Sequence, residues 1–313
     1  MIRAMSEPSP EPGALPARTP YRNALVVANP IAGRGKGEHA ATELAEALRN
    51  AGIATELFLT KARDDARVRV RCADPDTDLI VAVGGDGTIG EVMAGLMSDD
   101  ISVGIMPMGT SNLLGLDLSL PRDVDSVLEV LLAGHTQRID LSEVNGHVSF
   151  LCTGVGIDAA TVRALEKRRT GPISKLSYAR PLLDCLWNFS KPKLSVEVDG
   201  KPIEGTFGLV VACNTIHYAS YLKLARDRKL DDGLYEVYLF PSASGLSLLT
   251  YAIRGLLGRL PGGGCTMVRA TSLRITSDEP VPYQVDGDYR GETPVEFRVT
   301  GRQVKLLVPN SES

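Results

Sequence analysis

The chain has 313 residues, 43% of them hydrophobic and 23% charged, an ordinary globular make-up whose length points to two domains. A formal net charge of −4 excludes the basic footprint of a nucleic-acid binder, so no nucleic-acid partner is expected. Five cysteines, Cys72, Cys152, Cys185, Cys213 and Cys265, are scattered without a Cys-x-x-Cys pair, which argues against a zinc site and for a reduced, cytoplasmic protein.

Residues Met1 to Tyr21 are rich in proline, glycine, serine and alanine without periodicity, and read as a disordered tail. They lack the apolar core of a secretion signal, and nowhere does an apolar run reach the roughly 18 residues of a membrane span. Asn23 to Asn29 reads as a buried strand leading into Pro30-Ile31-Ala32-Gly33-Arg34-Gly35-Lys36-Gly37, a basic glycine-rich loop, and then a helix over Glu38 to Ala51. Thr55 to Leu59 is a second strand and Asp64 to Cys72 a second helix. The apolar run Leu79 to Val83 breaks into Gly84-Gly85-Asp86-Gly87-Thr88, followed by a helix through Glu91, Val92 and Leu96. Ser102 to Pro107 is a fourth strand, ending in Met108-Gly109-Thr110-Ser111-Asn112, and Asp123 to Ala133 is a helix. This alternation predicts an α/β domain over residues 22–138, a mostly parallel sheet with helices on both faces. All three glycine loops fall at the carboxyl ends of strands, where such sheets bind ligands.

Beyond Arg138 the pattern changes to a β-rich, sandwich-like domain over residues 139–300, with residues 301–313 as a last strand and tail returning to the first domain. Strands are predicted at Gln137–Glu143 and His147–Gly154, joined by the hairpin signal Asn145-Gly146, and at Lys193–Val198, followed by the turn Asp199-Gly200. Further strands are predicted at Thr206–Cys213, Tyr235–Phe240, Val268–Thr276, Tyr283–Val285, Val295–Val299 and Val304–Val308. Helices are predicted at Ala159–Lys167, Ile173–Phe189 and Ala243–Leu257. In the last, Leu246, Leu249, Ile253, Leu256 and Leu257 share one face, with Arg254 and Arg259 nearby. That stripe fits packing on the sheet, the commoner case, or contact with a bilayer surface. Leu182, Leu183, Leu186 and Trp187 allow the same two readings. His39, His135, His147 and His217 have no metal-ligand spacing.

A strand, a glycine turn and a helix N-terminus together present backbone N–H groups to a phosphate chain. Asp86 stands among three glycines, where it can orient a magnesium ion through water. Arg34 and Lys36 add mobile positive charge. Asp286-Gly287-Asp288 and Asp231-Asp232-Gly233 read by themselves as polar turns.

Asn29-Pro30 with Gly33 and Gly35, Gly84-Gly85-Asp86-Gly87-Thr88 with Glu91, and Pro107 with Gly109-Thr110 and Asn112 resemble, in this order, the diacylglycerol kinase catalytic-domain superfamily. That superfamily includes sphingosine and ceramide kinases and bacterial lipid kinases. Gly154, Gly156 and Asp158-Ala159, then Asp231-Asp232-Gly233 and Val285-Asp286-Gly287-Asp288, extend the resemblance along nearly the whole chain. It implies an NAD-kinase-like first domain and ATP-dependent phosphorylation of a lipid hydroxyl, with ATP and Mg²⁺ as cofactors. It further implies a lipid substrate, diacylglycerol or a related alcohol, met by peripheral contact with the inner face of the membrane, and it allows a homodimer. The nucleotide-site positions it implies are Asn29, Pro30, Ile31, Ala32, Gly33, Thr60, Gly84, Gly85, Asp86, Gly87, Thr88, Glu91, Gly109, Thr110 and Asn112. The implied catalytic base is Asp288, where relatives carry Glu, with Asp286 as fallback and Asp86 as the metal-orienting group. Asp86 and Asp140 are implied around the catalytic Mg²⁺, and Lys229, Asp232 and Leu234 around a structural cation. Leu113 stands where many bacterial relatives have Asp. A second reading is an NAD kinase, which shares the Gly-Gly-Asp-Gly-Thr element. A third is a catalytically weak nucleotide- or lipid-binding regulator, motivated by Leu113 and Asp288.

Overall fold

The structure is a computed structural model, and it describes residues 19–167, 184–185, 192–218, 222–224 and 229–310. Most of the expected tail and all of the expected helix Ile173–Phe189 except residues 184–185, and with it Leu182, Leu183, Leu186 and Trp187, lie outside the described residues. Tyr21, expected in the tail, is buried.

Four parallel strands open the fold: β1 (Asn23–Ala28), β2 (Ala54–Leu59), β3 (Leu79–Gly84) and β4 (Ser102–Pro107), in the order β2-β1-β3-β4. Between them run the short turn α1 (Ala32–Gly35), then α2 (Gly37–Asn50), α3 (Asp65–Arg71) and α4 (Asp86–Gly95). After β4 come α5 (Leu113–Asp117) and α6 (Val124–Ala133). β1, β3 and β4 read as nearly continuous apolar runs because both faces of the sheet are covered. Leu44 and Leu48 of α2 and Val127 and Leu131 of α6 pack with Val26, Val81 and Val83 on one side. Val70 of α3 and Ile89, Val92 and Met93 of α4 pack with Val27, Ile80 and Ala82 on the other. The alternating side-chain period of a strand produces this division.

The second half contributes β5 (Thr136–Val144), β6 (His147–Ser149), β7 (Cys152–Gly156), α7 (Ile157–Lys167), β8 (Leu194–Val198), β9 (Lys201–Phe207), β10 (Leu209–Cys213), β11 (His217–Tyr218), β12 (Leu222–Lys223) and β13 (Tyr235–Phe240). It continues with α8 (Gly245–Leu256), β14 (Thr266–Ala270), β15 (Ser272–Ser277), β16 (Pro282–Val285), β17 (Asp288–Glu292) and β18 (Val295–Leu307). A six-stranded antiparallel sheet runs β14-β13-β10-β7-β16-β17. It packs on β8, β15 and the start of β18 around Val155, Val210, Tyr235, Val237, Leu273 and Phe297, with the Tyr235 and Phe297 rings edge to face at 4.9 Å. β18 bridges the two halves. Its first part pairs with β15 and β5, and Lys305 and Leu306 pair in parallel with β4, so one ten-stranded sheet runs from the parallel strands into the sandwich. Among the described residues no helix is long and apolar enough to cross a membrane.

Asn145-Gly146 and Asp199-Gly200 form the predicted hairpin turns, with left-handed φ values at both residues of each pair. Four of the predicted strands differ for reasons the structure shows. His147–Gly154 splits because the Asp286 carboxylate takes the N–H groups of Phe150, Leu151 and Cys152 out of strand pairing. Val268–Thr276 breaks at Thr271, where Asp199 Oδ1 accepts from the amides of Thr271 and Ser272 and turns the corner from one sheet into the other. Val295–Val299 and Val304–Val308 are one strand with an irregularity between Val299 and Gln303, where Gly301 takes a φ of 73°.

Candidate nucleotide and phosphoryl-transfer site

The three glycine loops meet at the carboxyl ends of β1, β3 and β4. Beyond β1, the Asn29 amide donates to Val83 O at 3.0 Å, and the Asn29 side chain accepts from the Ile31 amide at 3.2 Å. The loop then folds back on itself, so closely that a Cβ at Gly37 would lie 2.1 Å from Asn29 O. Gly33, with a φ of 60°, lies against Met108 of the third loop. Thr60 continues the β1–β2 ladder through its amide to Ala28 O.

Loops two and three touch backbone to backbone. The Met108 amide donates to Gly84 O at 2.8 Å, and a Cβ on Gly109 would stand 2.7 Å from Gly85 Cα. No side chain fits between them, which is the physical reason for glycine at both positions. Thr88 folds back over Gly84, leaving 2.6 Å between its Oγ1 and a Cβ placed there. Gly85 caps α4 without a side chain, so the helix presents its first-turn amides and the positive end of its dipole at the loop junction. The third loop is locked by Asn112, fully buried in a left-handed conformation, whose side chain accepts from the Gly109 amide at 3.2 Å and donates to Gly109 O at 2.8 Å.

Asp86, the first residue of α4, is the electrostatic centre of this junction. Its carboxylate accepts from the Leu113 amide at 3.1 and 3.3 Å. Leu113, unable to act through its side chain, thus serves Asp86 through its backbone. Burial pushes the Asp86 carboxyl up to about 6, and the charges of Asp286 and Asp117 push in the same direction. Asp117 escaped the sequence reading. It lies four residues after Leu113, one turn along the same face of α5, and that i, i+4 spacing is the signal that would have found it. Its carboxylate accepts from the Ile216 amide at 2.7 Å and the His217 amide at 3.2 Å and pairs with the His217 ring. The first half is thereby tied to the second by a histidine that sequence reading left without a partner.

Asp286 is also at the junction, in a left-handed turn with a φ of 52°. It is saturated with donors: Ser149 Oγ, Leu151 N and Cys152 N on Oδ1, and Phe150 N on Oδ2, all within 2.8–3.0 Å. Burial pushes it up to about 6 against the pull of these donors. With its lone pairs engaged, Asp286 fastens β16 to the 149–152 loop and is a poor candidate for a base. Asp286-Gly287 is at the same time the hairpin turn between β16 and β17.

The other expected residues lie elsewhere or are otherwise engaged. Asp288 opens β17 and forms ion pairs with Arg63 at 2.7 Å and Arg290 at 3.1 Å. Glu91 accepts from the amides of Asp64 and Ala66, fastening α4 to the start of α3. Asp140 is not among the carboxylates acting on Asp86. Its two oxygens are held by the Gly233 amide at 2.6 Å and Gln303 Nε2 at 2.9 Å. It therefore anchors the 230–233 turn instead. In that turn Asp232 accepts from the Leu234 amide at 3.1 Å, and Lys229 is exposed. Asp158 packs against Gly154, accepts from Gln284 Nε2 at 3.0 Å, and is pushed up by burial. Among the described residues no group of three or more acidic, histidine or cysteine side chains closes on one point. The donor set at Asp86, one buried carboxylate with Asp286 and Asp117 acting on it and, among the described residues, no cationic partner of its own, fits a divalent ion held through water and ligand oxygens.

Two family models cover the chain: the diacylglycerol kinase catalytic domain matches residues 23–144, and the YegS C-terminal NAD kinase beta sandwich-like domain matches residues 152–308. The chain is 27% identical over 295 residues to a diacylglycerol kinase of Staphylococcus carnosus, covering 92% of this chain and 95% of that protein. It is 26% identical over 298 residues to one of Bacillus subtilis, covering 93% and 98%. A crystal structure of a diacylglycerol kinase from Bacillus anthracis superposes with a TM-score of 0.71 at 19% identity, covering 95% of this chain and 100% of that one, and so shares the fold. The loops meeting at Asp86 and the antiparallel sandwich behind them therefore have their counterparts in one group of proteins, and the chain belongs to the diacylglycerol kinase catalytic-domain family.

Proposed function

We propose that the protein transfers the γ-phosphoryl group of ATP to the hydroxyl of a lipid alcohol, diacylglycerol or a close relative. The observation that carries this reading is the convergence of three glycine loops on the N-terminus of α4, with Asp86 buried at the junction. Phosphoryl transfer asks a protein mainly to position its reactants and to neutralise developing charge. The backbone groups of residues 29–33, 84–88 and 109–112 cradle the phosphates. Asp86 would hold a Mg²⁺ ion, which would supply charge neutralisation for the transferring group. Incubation with ATP and diacylglycerol, followed by mass spectrometry of the lipid, tests the reading: the expected product is heavier by one phosphate, and unchanged lipid counts against it.

The acceptor hydroxyl must lose its proton as the new bond forms. Asp288 is the base expected from the resemblance. In the free protein it is bridged to Arg63 and Arg290, so a phosphate chain that draws those guanidinium groups away would also free the carboxylate. Asp288→Asn is expected to lower kcat at least ~100-fold while changing nucleotide affinity less than about 3-fold, because a base acts in the chemical step. Steady-state kinetics with a binding titration check this, and normal turnover in the variant removes Asp288 from the mechanism.

Gly109→Ala separates the loops from the chemistry. The added methyl must displace Gly85 Cα and Asn112 Oδ1, at 2.7 and 2.9 Å. Nucleotide affinity by calorimetry is expected to fall at least ~10-fold, as overpacking in a rigid contact costs roughly 1–3 kcal/mol. Unchanged affinity would mean that the nucleotide does not rest on this contact.

A further inference from the structure

α8 carries its apolar stripe on the outside. Tyr251 and Gly255 face inward and Leu248 packs against the core, whereas Leu246 is 77% exposed, Leu249 57%, Ile253 49%, Leu256 60% and Leu257 54%. The stripe follows the i, i+3, i+7, i+10, i+11 spacing of one continuous helix face. The commoner expectation, that this stripe packs on the sheet, is thus reversed. An aliphatic face of this size on a helix end needs an occupant.

The charge around it says which. From within β13 through α8 and the loop after it, residues 237–265 contain no aspartate or glutamate and two arginines, Arg254 and Arg259, in a chain whose formal net charge is −4. Arg259 is exposed, just past the helix. Arg254 lies over the loop that follows it, against Gly262 and Gly263, and its Nε is buried without a hydrogen-bond partner. A second copy of the chain laid symmetrically on this face would bring arginines toward arginines with no carboxylate in the segment between them. An anionic bilayer takes both features at once, aliphatic side chains below the headgroups and guanidinium groups among the phosphates.

We propose that the outward face of α8 docks on an anionic lipid surface and so brings the chain to its acceptor, an inference that rests on the lipid-kinase reading. Vesicle sedimentation tests it, with vesicles of phosphatidylcholine alone and of phosphatidylcholine mixed with phosphatidylglycerol. The intact chain should pellet with the mixed vesicles. The double variant Leu249→Ser, Ile253→Ser, which alters only exposed side chains, should lose at least ~10-fold in bound fraction. Arg259→Glu should lose roughly 5-fold with the anionic vesicles alone. Phosphorylation of a short-chain diacylglycerol in free solution should be unchanged in both variants, while phosphorylation of diacylglycerol in vesicles should fall with binding. Equal sedimentation of the intact chain and the double variant overturns the proposal. So does a dimer that becomes a monomer in the double variant with vesicle binding unchanged, since the face would then join copies. An intact chain that phosphorylates the soluble acceptor but never pellets overturns the docking surface alone. One that pellets through this face yet phosphorylates no lipid leaves the surface standing and overturns the acceptor.

Discussion

Asp86→Asn is expected to abolish transfer and, above neutral pH, to make the protein more stable. The activity loss, at least ~10³-fold, is what the proposed function requires of a charge that would hold the metal and orient the phosphates. The gain in stability follows from burial. In the folded chain the Asp86 carboxyl titrates at about 6, against about 3.9 in an unfolded chain. A raised carboxyl favours the folded state while it is protonated, so its contribution is present below pH ~4 and is lost as pH rises through 6. At pH 8 the parent bears the whole cost of a buried charge, at most about 3 kcal/mol from a shift of this size, and the asparagine variant does not. The nearly isosteric carboxamide can still accept from the Leu113 amide through its oxygen. Thermal unfolding should therefore show the variant ahead at pH 8 by several degrees and level with the parent near pH 4. A variant less stable than the parent at pH 8 would mean that Asp86 is held by partners stronger than one backbone amide. Added Mg²⁺ with nucleotide should raise the midpoint of the parent and leave that of the variant in place.

Asp286→Ala should have the largest effect on stability. Removing the carboxylate strands four donors, Ser149 Oγ and the amides of Phe150, Leu151 and Cys152, in a place where water has little access. Each buried donor left without a partner costs about 1–3 kcal/mol before relaxation, so a net loss of about 3–5 kcal/mol in urea unfolding is expected, with the 149–152 loop losing its amide protection first. A fallback base at this position predicts the opposite pattern, low kcat with near-normal stability. A loss under about 1 kcal/mol would restore that reading.

The parts of this protein that depend on neighbours in the chain were legible in the sequence. Strand, glycine turn and helix follow one another at 79–96, and three such loops fall together at the carboxyl ends of the parallel strands. The hairpin turns at Asn145-Gly146 and Asp199-Gly200 needed only two residues each. What was not legible depends on carboxylates that reach far along the chain. Asp286 captures amides about 135 positions away and cuts a predicted strand in two. Asp199 does the same at Thr271. Asp140 matched a metal-site position by motif, yet it spends both oxygens on Gly233 and Gln303. Leu113 looked like a missing group, but its backbone amide holds Asp86, and Asp117 brings a carboxylate into the field of Asp86 from one turn further on. Local pattern reports which backbone shape a segment prefers. It does not report which distant amide a short acidic side chain will find.

The proposed function has the loops around Asp86 carry ATP and a lipid alcohol accept the phosphoryl group. The most direct measurement is transfer of label from γ-labelled ATP, in the presence of Mg²⁺, to diacylglycerol, a sphingoid base and NAD offered together. A lipid kinase puts label in a lipid product and none in NAD. Label in NAD alone would contradict that reading, and so would the absence of label from every acceptor across a broad lipid panel.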